Sequence, residues 1–178
     1  MPVQMVLSVI ATDRPGLVQT LSELLASHQG NWVESSMARL GSDFAGIVSV
    51  TIPKGEVEPF KSALSALSGE GISVTVREGS KTALPAGQWA WLELTGGDHP
   101  GIVRDISTAL SQHGVSIQEL KTQIEPASMA GGDLFTAEAW VLVPEGLEIE
   151  ALREELERIA SDIMVDISLT GAEERGEN

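Results

Sequence analysis

The sequence predicts an α+β protein built as two tandem βαββαβ units, and three observations point to it. The chain repeats itself: shifted by 85, residues 5–34 fall on 90–119 without a gap, with nine of thirty positions identical. The identities are Leu7/Leu92, Asp13/Asp98, Pro15/Pro100, Gly16/Gly101, Val18/Val103, Ser22/Ser107, Leu25/Leu110, His28/His113 and Glu34/Glu119; chance would give roughly two. Apolar spacing switches from period 2 to period 3.6 at the same places in both copies. Both copies also run strand, helix, two strands, helix, strand.

Met5, Leu7 and Val9 alternate with Gln4, Val6 and Ser8, and Ala90, Leu92 and Leu94 alternate likewise, which predicts an opening strand. DRPG (13–16) or DHPG (98–101) follows. Leu17, Val18, Leu21, Leu24 and Leu25 then share one helix face, matched by Ile102, Val103, Ile106, Ala109 and Leu110. Gln29-Gly30 and Gly114, each soon after a histidine, stop these helices. Strands are expected at about 32–40 and 45–52, turning at Gly41-Ser42-Asp43, and at 117–125 and 134–143. Phe44 aligns with Phe135 and Pro53 with Pro144 at a shift of 91, so the second copy carries six extra residues within EPASMAGGD. A second helix uses Val57, Phe60, Leu64 and Leu67, then Ile149, Leu152, Leu156 and Ile159. Last strands come from Ile72, Val74 and Val76, and from Ile163, Val165 and Ile167. As a sheet with two helices on one face, each half is the ferredoxin-like arrangement. The expected division is a first domain at 1–80, a linker at 81–88, a second domain at 89–170 and a disordered tail at 171–178.

The 178 residues suffice for two small domains, and 42% hydrophobic content supports real cores. Eleven Lys+Arg against 26 Asp+Glu leave a net charge of −15. So few bases can hardly build the stripe that displaces counterions from phosphates, so direct nucleic-acid binding is not expected. An anionic membrane surface is disfavoured by the same sign. Zero cysteines exclude a disulfide framework, thiolate metal sites and cysteine catalysis. MPVQMVLSVIATDRPG lacks the basic start of a secretory leader, and no apolar stretch approaches the roughly 18 residues of a membrane span. A cytoplasmic location is the expectation.

The D-x-P-G loop is the strongest site candidate. Asp13, Arg14, Pro15, Gly16 and Leu17, with Asp98, His99, Pro100, Gly101 and Ile102, stand where a helix start exposes unpaired N–H groups that attract a carboxylate. The competing reading is that Asp13 and Asp98 simply cap their helices. His28 and His113 lie at helix ends and read as solvated or capping; His99 lies in the loop. No histidine pair has metal-ligand spacing, no serine sits in a nucleophile elbow, and GGDHPG lacks the lysine of a phosphate loop. No catalytic constellation, metal or cofactor is therefore expected. Val6, Trp89 and Trp91 fall on the sheet face that helices do not cover and are interface candidates.

Strand, D-x-P-G, amphipathic helix and glycine, then Gly30-Asn31-Trp32-Val33-Glu34-Ser35-Ser36 and Arg39-Leu40-Gly41-Ser42-Asp43-Phe44, resembles the ACT domain in two copies. In detail it is similar to the glycine cleavage system transcriptional repressor family. The resemblance implies an amino-acid site at Asp13, Gly16, Leu17 and Asn31, and at Asp98, Gly101, Ile102 and Ser116, commonly formed between two domains; serine for asparagine departs from the pattern. It implies a non-catalytic regulator sensing glycine or a similar small amino acid, and repressing glycine cleavage genes through a DNA-binding protein partner. The alternative is a detached regulatory subunit of an amino-acid or one-carbon enzyme. A homo-oligomer is left open.

Overall fold

Met5, Leu7, Val9 and Ala11 are buried while Ser8, Ile10 and Thr12 are exposed, and this alternation makes β1 (Pro2–Thr12) a strand with one covered face. The structure is a computed structural model that describes residues 1–79, 85–127 and 131–175. After β1 come α1 (Leu17–Ser27), β2 (Asn31–Leu40), β3 (Asp43–Pro53), α2 (Val57–Ala66) and β4 (Ile72–Glu78). Short 3-10 turns, Lys54–Glu56 and Leu67–Glu70, flank α2. The second copy runs β5 (Gly87–Gly97), α3 (Ile102–Gln112), β6 (Ser116–Pro126), β7 (Asp133–Pro144), α4 (Ile149–Asp162) and β8 (Val165–Gly171), ending in α5 (Ala172–Arg175).

Each copy is a four-stranded antiparallel sheet, ordered β2-β3-β1-β4 and β6-β7-β5-β8. The fold is therefore two ferredoxin-like βαββαβ domains, as expected. The chain divides into compact units at residues 1–83 and 84–178, and each has its own core. Phe60, Met5 and Ile52 are fully enclosed in the first, and Leu156, Val141 and Val143 in the second. Both edge strands carry a β-bulge at the equivalent place, between Trp32 and Glu34 and between Ile117 and Glu119.

Several expectations change. On α1 the buried stripe is Leu17, Leu21 and Leu25, whereas Val18 and its counterpart Val103 are nearly half exposed, being a further 100° round the helix. Ile163 caps α4 and donates its N–H to the carbonyl of Ile159; Met164 takes a left-handed φ of 55°, so the last strand begins at Val165. Of the linker at 81–88, residues 81–84 lie outside the described residues; Gly87 and Gln88 already pair with Pro144 and Val143. The tail is ordered as far as residue 175, because Gly171 pairs with Ala90 and Glu174 meets the Arg153 guanidinium at 3.2 Å; residues 176–178 lie outside the described residues. The extra residues of the second copy enlarge the β6–β7 connection, of which 128–130 lie outside the described residues.

Gln29, not Gly30, takes the left-handed turn after α1, with φ of 56°. Gly30 answers a different need, since a Cβ there would collide with Leu25 and Ile52. Gly55 has open space around it. Gly30→Ala is expected to lower stability by about 1–3 kcal/mol through overpacking, and Gly55→Ala to leave it nearly unchanged, in matched denaturant titrations.

Candidate functional site

The two D-x-P-G loops sit where β1 and β5 hand over to α1 and α3. Gly16 and Gly101 occupy the helix N-caps with φ of 94° and 103°, a region open to glycine and strained for other residues. Neither helix has a side-chain cap, so the reading of Asp13 and Asp98 as helix caps is not what the structure shows. Both aspartates instead prolong the sheet through their backbone: Asp13 N–H donates to the Ser42 carbonyl and Asp98 N–H to the Asp133 carbonyl, each at 2.8 Å. The first intrahelical bond of α1 runs from Thr20 N–H to the Gly16 carbonyl. The N–H groups of Leu17, Val18 and Gln19 therefore have no partner within the helix.

These donors open into a cleft of about 270 Å³ lined by Asp13, Arg14, Gly16, Leu17, Val18, Gln19 and Phe44, just under the range of pockets that take drug-sized ligands. The Asp13 carboxylate is held 3.0 Å from Nε of Arg39, a residue brought alongside by the pairing of Arg39 with Phe44. A carboxylate has about four lone-pair positions, so this contact leaves room for a second cation. The cleft thus offers donors for an anion, an acceptor for a cation, and an aromatic wall.

The polar ends of Arg14 and His99 bond the protein's own backbone. The Arg14 guanidinium donates to the Glu70 carbonyl at 3.0 Å, and His99 Nε2–H donates to the Ile163 carbonyl at 2.9 Å. Each latches its loop to the chain between the second helix and the last strand. His28 and His113 also have partners, Glu56 at 2.9 Å and Glu155 at 2.6 Å, and so fasten the first helix of each domain to its second helical segment.

The second loop differs in charge and crowding. Ile124 stands at Arg39's position, paired with Phe135, and among the described residues Asp98 makes no ion pair. Arg104 reaches back until a Cβ on Gly101 would lie 3.0 Å from its Nη2. Its Nε meets Asp105 Oδ1 at 2.7 Å, holding the Asp105 carboxyl below its ordinary value. A carboxylate of the protein itself thus occupies the first turn of α3. The cavity beside α3 is apolar and about 30 Å³, roughly one water molecule's share.

Asn31 and Ser116 do not join these loops within their own domains. Asn31 pairs with Thr51, which pairs with Gln4, eight residues from Thr12; that is roughly 27 Å of strand. Ser116 stands equally far from the end of β5, opposite Leu142 and so in line with Trp89. Of the interface candidates, Trp89 is exposed while Val6 and Trp91 are half-buried. Trp140 is the residue that sequence reasoning left out: it pairs with Trp91, and the ring centroids lie 4.9 Å apart. The alternation of Phe135, Ala137, Ala139 and Val141 on the covered face already placed Trp140 opposite to them. Among the described residues no group of three His, Asp or Glu could hold a metal, and no helix is long and apolar enough to cross a membrane.

Residues 4–76 match the ACT domain model, and the second half repeats the fold. The first domain is thus similar to the ACT domain family over nearly its whole length. The chain is 25% identical over 128 residues to the glycine cleavage system transcriptional repressors of Escherichia coli (strain K12) and Shigella flexneri, covering 69% of this chain and 66% of each relative. The chain thus spans just under two thirds of the curated relatives it matches. An unknown protein from Galdieria sulphuraria superposes with a TM-score of 0.85 at 32% identity, covering 96% of this chain and 99% of that one. A protein assigned as a glycine cleavage system transcriptional repressor superposes at 0.71 with 17% identity over 96% and 98%, sharing the fold.

The Asp105 carboxyl, depressed chiefly by its Arg104 hydrogen bond, stabilises the fold fully above its ordinary value near 3.8. That contribution is lost as pH falls through the lower folded value. The stability difference between the parent and Arg104→Gln is therefore expected to shrink as pH falls below the ordinary value near 3.8 and through the lower folded value, with the Asp105 resonance of the variant titrating higher.

Proposed function

We propose that this protein is a non-catalytic tandem ACT regulator that senses glycine or a similarly small amino acid in the first-domain cleft. The observation that supports it is the convergence of the uncapped α1 start, the Asp13 carboxylate and Phe44 on one small cleft. The N–H groups of Leu17, Val18 and Gln19 bind the ligand carboxylate, where helix polarity favours negative charge. Asp13 pairs with the ammonium, sharing its oxygens with Arg39. Gly16 lets the ligand approach the backbone. The second loop binds more weakly, because Arg104 and Asp105 already crowd and charge its helix start. Asn31 and Ser116 contribute only to a ligand held by the loop of another ACT domain.

Likeness to the glycine cleavage repressors extends the reading to transcription: the occupied protein represses by engaging a DNA-binding protein, not DNA. A net charge of −15 favours that route, since phosphate contacts need a basic face. By linkage, any partner that prefers the occupied form raises amino-acid affinity by the same factor.

Calorimetric titration against the twenty amino acids tests the proposal. Glycine or another small amino acid is expected to bind in the micromolar-to-millimolar range usual for so few atoms. Asp13→Asn leaves the ammonium without a charged acceptor, and is expected to weaken binding by about 1–3 kcal/mol, roughly five- to 150-fold, with melting temperature little changed. Asp98→Asn is expected to have the smaller effect. Parent-like binding by both variants would overturn the site.

A further inference from the structure

The open faces of the two sheets have diverged while the fold beneath them has not. Across the second sheet, Thr170, Trp91, Trp140 and Glu119 form one row, and Ser168, Glu93, Glu138 and Lys121 form the next. The matching rows of the first sheet are Arg77, Val6, Ser49 and Glu34, then Thr75, Ser8, Ile47 and Ser36. The first domain builds these same rows without tryptophan or opposed acids, so the fold does not require them there.

Two features of the second face ask for a cation. Glu93 and Glu138 are exposed and directly opposite each other, and like charges so placed oppose sheet formation. Lys121 is the only base in that row. Beside them Trp140 contacts Trp91 and Trp89 edge-on, at 4.9 and 6.4 Å between ring centroids, and Trp89 is 40% exposed. A guanidinium or ammonium entering here relieves the carboxylate repulsion and meets aromatic faces that attract it. The protein's net charge of −15 steers such a partner inward.

We propose that the open face of the second sheet, centred on Trp140 and the Glu93–Glu138 pair, docks a protein partner that presents arginine or lysine on an apolar surface. It uses no residue of either D-x-P-G loop, so docking and amino-acid binding can fail independently.

The probe is a synthetic amphipathic peptide with leucine on one helical face and arginine on the other, compared with the same peptide carrying glutamate for arginine. The full chain carries Trp32→Phe, leaving three of its four tryptophans, all on this face, as fluorophores. The arginine peptide is expected to change their emission saturably, and the glutamate peptide is not. Affinity for the arginine peptide should fall at least about fivefold in Trp140→Phe and in the E93Q/E138Q double variant. The double variant alters only exposed side chains and keeps the test decisive if Trp140→Phe misfolds. No saturable change, or equal binding by parent and E93Q/E138Q, overturns the proposal. So does shielding of these tryptophans from acrylamide in the free monomer, or dimerisation that shields them, because the occupant is then the chain itself or a second copy.

Discussion

A four-stranded sheet with helices on one side has one face committed to packing against them and one that the helices leave uncovered. On the central strands β1 and β5 every other residue answers to the core, and the residue between answers to solvent, ligand or partner. Leu7 and Leu92 are equally buried because the helices above them demand it. Val6 and Trp91, one step away on the other side, have diverged completely. This one-sidedness lets a duplicated domain keep its architecture while its surfaces take on separate chemistry.

The same division explains what could be read in advance. Apolar spacing is imposed by the core, so the succession of strands and helices along each copy and the hairpin at Gly41 were legible from residues such as Met5, Phe60 and Leu156. The D-x-P-G loops were legible because a motif that recurs at one place in two copies stands out. What escaped was what depends on register. Arg39 reaches Asp13 only because β2 and β3 pair as they do, and Trp140 stacks on Trp91 only because those two residues are cross-strand neighbours. No local pattern marks the bulges at Val33 and Gln118. The separation of Asn31 from Asp13 followed from topology, since β1 and β2 both run antiparallel to β3 and β2 therefore begins at the end where β1 begins.

The two loops show what duplication preserves and what it releases. Glycine at the N-cap and the backbone bond of the aspartate persist, since the strand-to-helix turn needs both. The surrounding charges do not. Arg39 beside Asp13 became Ile124, whereas Gln19 and Thr20 became Arg104 and Asp105, which now hold each other over the helix start. The first loop stays open and the second is filled from within.

The latches formed by Arg14 and His99 have an evolutionary consequence. In each, the acceptor is a main-chain carbonyl, at Glu70 or Ile163, and no point mutation can delete a carbonyl. Any side chain with a donor at the right reach can therefore inherit the post. A cation that is always charged and an imidazole that need not be have both held it in this one chain. Anchoring to the backbone leaves that sequence position free to drift in charge while its mechanical duty is kept.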